Sequence, residues 1–271
     1  MKSFLKSVIL ITGLFIFLWT PSTEGGNAPA KASPEEAGVP ILLYHRFGPT
    51  VADSMTVTTQ VFRSHLEYLR NNGFTVIPLK LLVDYYLGKG PKPLQGSVVI
   101  VTDDAHKSVY TDMLPLIKEY KVPVTLFVYP SAVSNASYAM TWDQLRELKK
   151  TGYFEIQGHT YWHPNFKKEK KRLSAVEYNK FVDMQLNKSR ERIYKELGVN
   201  VDMLAWPFGI YDDELIKKAS DAGYKAAFTI ERRRALSTDH IMTVPRFLMQ
   251  DRDRGKAFEQ ILDPPPAKRK G

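Results

Sequence analysis

The sequence predicts an α/β fold: mostly parallel strands alternating with helices, curled into a complete or partial (β/α) barrel. Three observations lead there. Short β-branched and aromatic runs alternate with amphipathic segments through most of the chain, the pattern of βα units on a parallel sheet. Val98–Val101 is a continuous apolar run, as in a strand covered on both faces. The chain of 271 residues shows no internal repeat, and its central part, about 230 residues long, suits one barrel domain with its chemistry at the C-terminal strand ends.

The elements follow in order. Lys2 and Lys6 precede an apolar run from Val8 to Trp19, with small residues after it (Ser22, Thr23, Gly25, Gly26). A short charged region before about 7–15 apolar residues reads as a secretory signal peptide, residues 1–26; an uncleaved membrane anchor is the alternative, although the run is short of the about 20 residues a span needs. Residues 27–39 are rich in Pro, Ala and Gly and read as a flexible tether. The catalytic-sized domain covers residues 40–262. Ile41–Tyr44 is a first strand. Gln60–Asn72 has apolar residues at helical spacing (Val61, Phe62, Leu66, Leu69) and stops at Gly73. Phe74–Ile77 is a strand and Leu79–Leu87 a helix ended by Gly88. Val98–Val101 is the buried strand, Leu114–Tyr120 a helix, Val122–Val128 a strand. Thr141–Lys150 opens with residues that cap helices well. Phe154–Ile156 is a short strand. Ala175–Leu197 is a long helix stopped by Gly198, Met203–Trp206 a strand, and Asp212–Ala222 a helix ended by Gly223. Ala226–Thr229 and Met242–Val244 are the last strands. Residues 263–271 hold three prolines and Lys-Arg-Lys and read as a disordered basic tail.

Composition narrows the chemistry. Hydrophobic residues at 44% and charged residues at 25% exclude a mostly disordered chain. The absence of cysteine excludes disulfides, a thiol nucleophile and thiolate metal sites. Any metal is held by His and carboxylates. The formal charge is +9; losing Lys2, Lys6 and Glu24 with the signal segment leaves +8. An exported basic protein is expected, periplasmic or extracellular, facing cell wall, lipid headgroups or polysaccharide rather than nucleic acid.

Four strand ends carry candidate chemistry. Asp103-Asp104 follows the buried strand, and alternation aims the two carboxylates differently, one toward a metal and one toward a substrate; the alternative is a helix N-cap for Ser108–Met113. His159-Thr-Tyr-Trp-His163 follows another strand. Two His at i and i+4 share one face of a helical turn, which Pro164 would end at His163; two surface histidines in an aromatic loop are the alternative. With Asp104 they make a His-His-Asp set suited to Zn²⁺ or a similar divalent ion with positions open for water. His45, past the first strand, becomes a candidate general acid on the same rim. Ala205-Trp-Pro-Phe-Gly209 can aim a backbone N–H as an oxyanion hole requires, or be an ordinary turn.

These residues resemble the polysaccharide deacetylase (NodB-homology) family, carbohydrate esterase family 4. Val101-Thr102-Asp103-Asp104-Ala105 is similar to T-F-D-D-G, His159-Thr160 with His163 matches H-[ST]-x-x-H, and Ala205-Trp206-Pro207-Phe208 is similar to R-x-P-[YF]. Tyr44-His45 and the Trp-Pro-Phe-Gly form resemble the branch acting on poly-β-1,6-N-acetylglucosamine. The likeness runs from about Pro40 to Met249. It implies a distorted or incomplete barrel of the polysaccharide deacetylase type. It also implies a metal-dependent hydrolase that removes N-acetyl groups from an extracellular or wall amino-sugar polymer. Asp104, His159 and His163 would hold the metal, Asp103 would be the base, and the Phe208 N–H would meet the oxyanion. His45 would be the acid, since Phe247-Leu248-Met249 lacks the late Leu-x-His histidine.

Departures from the motifs set further expectations. Ala205 stands where the family has Arg, and Arg246 is a candidate replacement beside Asp103; a surface Arg is the alternative. Ala105 replaces a Gly and tolerates positive φ poorly. His106 is expected in a first helical turn. Trp206 and Trp162, inside motifs, are candidates for stacking on sugar, and Arg246 is placed with them as substrate-binding. The run Lys167–Arg172 is a solvated face. The expected protein is a monomer whose partner is an N-acetylated polymer, most simply poly-β-1,6-N-acetylglucosamine. A peptidoglycan or chitin-type deacetylase and a non-catalytic carbohydrate-binding relative are the alternatives.

Overall fold

The predicted alternation of strands and helices is present in a computed structural model that describes residues 38–263. The signal segment 1–26, the tether up to residue 37 and tail residues 264–271 lie outside the described residues. Strands β1 (Ile41–Tyr44), β2 (Arg46–Gly48) and β3 (Thr56–Thr58) lead into helix α1 (Thr59–Asn71). Then come β4 (Thr75–Val76), α2 (Leu79–Tyr86), β5 (Ser97–Thr102), a π-helical turn at Val109–Met113 running into α3 (Leu114–Tyr120), and β6 (Val124–Val128). The second half holds α4 (Trp142–Lys150), β7 (Phe154–Gly158), α5 (Phe166–Arg172), α6 (Ala175–Leu197) and β8 (Met203–Ala205). A 3-10 turn at Pro207–Gly209, α7 (Asp213–Asp221), β9 (Ala226–Phe228), β10 (Phe247–Leu248) and α8 (Lys256–Leu262) complete it.

The main sheet runs β10-β1-β5-β6-β7-β8-β9, with β4 also on β5, and its paired strands are parallel. The sheet curls until its edges meet. Val244 bridges Phe228 of β9, and three residues later Phe247 pairs with Leu42 of β1. One interrupted segment therefore joins both edges, which makes a distorted (β/α) barrel. The interruption is Pro245, which has no N–H to give a ladder. This also corrects the last predicted strand: Met242–Val244 contributes one bridge, and the paired strand is Phe247–Leu248.

Strand alternation builds two cores. Ile41, Leu43, Val99, Val101, Phe127, Met203 and Phe228 pack together with Leu79, Leu82 and Val83 of α2. Phe127 and Phe228 approach to 5.5 Å between ring centroids although two strands separate β6 from β9 in the sheet. This set therefore fills the inside of the curl. The intervening residues Leu42, Ile100, Leu126, Ile156 and Leu204 face the helices with Leu66, Leu145 and Leu186. Burying each such side chain is worth about 1.5–3 kcal/mol.

Local signals explain the longest helix. Ser174 and Glu177 form a reciprocal capping box, and Gly198 closes α6 at φ 63°. Strands β2 and β3, three residues each, are too short to show a period. Pro115 at the start of α3 has no N–H to donate to the helical ladder behind it, and the widened turn at Val109–Met113 accommodates it. Helix α5 buries only Phe166 and leaves Lys167, Lys168, Lys170 and Lys171 in solvent.

Candidate metal centre and active site

The candidate residues gather at the C-terminal rim of the barrel. The ladder extends one residue beyond each strand and pins them: Asp103 N–H donates to Tyr44 O (3.1 Å), His159 N–H to Val128 O (2.8 Å) and Trp206 N–H to Phe228 O (3.0 Å). Backbone bonds to a neighbouring strand make this rim a rigid platform for side chains.

Asp103 is buried and held by Arg246. Its two oxygens accept from Nη1 and Nη2 at 2.9 Å each, and Arg246 Nε donates to Thr229 O at 2.9 Å. The bidentate pair lets both charges be buried. Burial alone would raise the Asp103 pKa; Arg246 and His159 outweigh it and hold it below the usual carboxylate range. Arg246 is thus the partner of Asp103 and not a surface residue. With 0% of its surface exposed, it makes no direct contact with a polymer, and its expected place among the substrate-binding residues is corrected.

Strand alternation does not set the direction of Asp104: it lies past the end of β5 with a left-handed φ of 73°, and both carboxylates approach His159 Nε2, Asp103 Oδ2 at 3.8 Å. Helix capping is not its role: the first helical turn starts at Val109 behind Ser108. His159 Nε2 lies 3.5 Å and His163 Nε2 3.8 Å from Asp104 Oδ1. The expected helical turn at His159–His163 is absent. Thr160 (φ 62°) and His163 (φ 61°) are left-handed, and Thr160 Oγ1 accepts the His163 N–H at 3.2 Å. The two imidazoles converge through a tight loop, with ring centroids 4.5 Å apart, rather than through helical spacing. His159 Nδ1 donates to the Ala205 carbonyl (2.7 Å), which commits Nε2 to the Asp104 side.

The donor set fits a divalent transition ion. One oxygen of Asp104 and one nitrogen from each of His159 and His163 lie within 4.8 Å of one another. Oδ1 is buried without a hydrogen-bond partner, since 3.5 Å to His159 is too long to satisfy it. Burial and the neighbouring His159 push His163 down to about 4, so it is a neutral imidazole with a free lone pair. Against burial, His159, His45 and His163 hold Asp104 far below the carboxylate range. Burial lowers His159, but Asp103 and Asp104 overcome it and raise its pKa, so the two carboxylates make the surroundings of Nε2 electronegative. Two nitrogens and one carboxylate oxygen are ligands suited to zinc and its neighbours.

His45 lies on the same rim, buried, with Nδ1 unpartnered. Burial lowers its pKa, opposed by Asp103 and Asp104. Phe208 takes φ 57° and is half exposed, its ring 4.6 Å from that of His163. The turn's hydrogen bonds run from Gly209 N–H to Trp206 O and from Ile210 N–H to Pro207 O; neither uses the Phe208 N–H.

Trp206 is corrected. Its ring is fully buried and its indole N–H donates to Met242 O at 2.8 Å, so it is a core residue with no face for a sugar. Trp162 is 47% exposed and packs on Phe181. It borders a groove of about 470 Å³ with Tyr129, Ser131, Asn135, Tyr138 and His163. Tyr129 and Tyr138, hydroxyls 2.5 Å apart, were missed in the sequence, although Tyr129 follows β6 at a strand end like the others. Ala105 adopts φ 54° despite its methyl group, so the loop keeps the left-handed turn that a glycine would take. His106 precedes the first helical turn, bonds Ser108 Oγ (2.8 Å) and stacks on Tyr138; it is not among the metal donors.

Known proteins resemble this chain over most of its length. The chain is 25% identical over 282 residues to a poly-beta-1,6-N-acetyl-D-glucosamine N-deacetylase of Staphylococcus aureus, with 95% of each chain covered. Among solved structures, a Streptococcus pyogenes deacetylase, PplD, in complex with acetate superposes with TM-score 0.74 at 20% identity, covering 84% of this chain and 99% of that one. IcaB from Ammonifex degensii gives 0.71 at 22% identity, covering 83% and 97%. Both share the fold. The family model described as polysaccharide deacetylase matches residues 90–227, from the loop before the Asp103-Asp104 strand to the strand behind Phe208. That segment is half of the chain and includes Asp103, Asp104, His159, His163 and the Pro207–Gly209 turn, and the protein belongs to the polysaccharide deacetylase family.

Proposed function

We propose that this protein is a zinc-type, metal-dependent N-deacetylase acting on poly-β-1,6-N-acetylglucosamine outside the cytoplasm. The observation that carries the reading is the pairing of two differently committed carboxylates. Asp103 is clamped by Arg246, and Asp104 faces two histidine nitrogens. The full-length similarity to the staphylococcal enzyme supports the choice of polymer. Residues 1–26 serve export, residues 27–39 tether the domain, and the basic tail and surface face wall or headgroups. Among the described residues no helix is long and apolar enough to cross a membrane.

Asp104, His159 and His163 hold the ion, which when bound supplies Lewis-acid polarisation of the acetamide carbonyl and a lowered water pKa. Asp103, kept ionised and oriented by Arg246, accepts the proton of the attacking water; a carboxylate retains lone pairs beyond the two that Arg246 occupies. The water oxygen bonds to the carbonyl carbon, and the Phe208 N–H donates to the resulting oxyanion. As the C–N bond breaks, His45 passes its proton to the departing nitrogen. Acetate and a free amine leave. Trp162 offers a ring face to a neighbouring sugar in the groove.

The test is acetate release from acetylated β-1,6-glucosamine oligomers, with and without a chelator and in Asp104→Ala. Activity is expected to vanish in both cases. Robust release by Asp104→Ala would remove the proposed site.

A further inference from the structure

Helix α6 carries a fully buried glutamine, Gln185, whose position at the centre of a 23-residue helix has no explanation in packing alone. Its Oε1 accepts two hydrogen bonds from consecutive backbone groups of the histidine loop, Tyr161 N–H at 3.1 Å and Trp162 N–H at 3.0 Å. Two donors aimed at one atom also settle which end of the amide faces the loop.

The neighbours of Gln185 on the same helix face act on the same residues. Phe181, one turn earlier, places its ring 5.4 Å from that of Trp162. Lys188, one turn later, sets its ammonium 4.4 Å from the centre of the Tyr161 ring. Positions i, i+4 and i+7 share one face, so a single stripe of α6 grips the two residues between Thr160 and His163. On its other side the loop is tied by Ser131 N–H to Tyr161 O at 3.0 Å.

This grip matters because the loop is strained. Thr160 and His163 both hold left-handed φ angles near 60°, a conformation that non-glycine residues, β-branched threonine above all, adopt rarely. Such backbone persists only where surroundings over-determine it. The strain lies on either side of the pair that Gln185 holds, and it is what turns His163 Nε2 back toward Asp104.

We propose that Gln185 is a positioning residue for the metal centre: through the Tyr161 and Trp162 amides it holds His163 in its ligating orientation. The inference rests on His163 being a ligand. The test uses the full chain with zinc as the probe, its affinity read by competition with a chromophoric chelator, and thermal unfolding measured alongside. Gln185→Met keeps the side-chain length and removes the acceptor; Gln185→Glu keeps an acceptor oxygen.

Zinc affinity is expected to fall by about 10–100-fold in the methionine variant and to stay within about threefold of the wild type in the glutamate variant, the range for residues that orient ligands. Wild-type affinity in folded Gln185→Met, or equal losses in both variants, overturns the proposal in favour of a structural role. If the methionine variant does not fold, Gln185→Ala, which leaves room for water, is judged by the same criterion. His163→Ala is the control. If it binds zinc as the wild type does, the ligand assignment itself fails; if it loses zinc while Gln185→Met does not, only this inference fails.

Discussion

Replacing Arg246 with methionine would strand a charge. Arg246 and Asp103 are 0% and 2% exposed, and two 2.9 Å bonds join them. Removing one partner of a buried pair costs about 3–5 kcal/mol, because the other charge stays buried and uncompensated. The sign of the pH dependence then reverses. In the wild type the Asp103 pKa is held below 3.8, so the pair's contribution is present above that ordinary value and is lost as pH falls through the depressed one. In Arg246→Met only burial and the weaker histidine interactions remain. The carboxyl pKa rises, and the penalty grows as pH rises. Urea unfolding at pH 5.0 and 7.5 should show a larger deficit at about pH 7.5 than at about pH 5. Arg246→Lys retains the charge but loses the fork and the bond to Thr229 O, each charge-assisted bond being worth about 1.5–3 kcal/mol; it should fall between. Asp103→Asn combined with Arg246→Met removes both charges and should recover much of the loss. In folded Arg246→Met the kcat also drops, by up to the about 10²–10⁴-fold that a positioned base contributes. An Arg246→Met protein as stable as the wild type, or one whose deficit is the same at both pH values, would refute the reasoning.

His65, Trp206 and Trp162 each carry a separate prediction. His65 is buried, donates from Nε2 to Asp253 O and accepts the Tyr44 hydroxyl at Nδ1, and burial pushes its pKa from 6.5 down to about 4. The unfolded chain binds that proton first, so stability should fall as pH drops from about 6.5 toward about 4, by an amount approaching 3 kcal/mol; a His65→Phe chain with the same acid slope in urea unfolding would contradict this. Trp206→Ala should lower stability by about 3–5 kcal/mol as a core deletion. Trp162→Ala should instead raise KM for the polymer with stability changed by about 0.5–1 kcal/mol, and the reverse pattern in paired unfolding and kinetic measurements would return Trp206 to the sugar surface.

Much of the architecture was legible because it depends on local patterns. Apolar spacing and the Gly198 stop announced α6, and the unbroken run Val98–Val101 announced a strand buried on both faces. Where the sequence misled, a tertiary effect intervened. Pro245 breaks the last strand, so the barrel closes through Val244 and then Phe247. Trp206 sits in a motif, yet its indole N–H is committed to Met242 O and its ring to the core. The i, i+4 spacing of His159 and His163 suggested a helical turn, yet the loop reaches the same convergence through two left-handed residues.

The sequence by itself determined the kind of chemistry. With no cysteine, a metal site needs His and Asp, and those residues stood at the ends of segments with strand character. The tertiary structure decided which charge meets which. Asp103 and Arg246 are 143 residues apart in the chain, and only closure of the curled sheet, with β10 on β1 and β1 on β5, brings the Arg246 side chain to the end of β5. The orienting groups are the Ala205 carbonyl, the Gln185 amide oxygen and the backbone N–H groups at the strand ends. Two of these three are backbone atoms that every residue carries, and Gln185 shows its purpose only when α6 is packed against the loop. Side-chain type is written in the sequence, but a hydrogen bond between distant segments is a property of the folded chain.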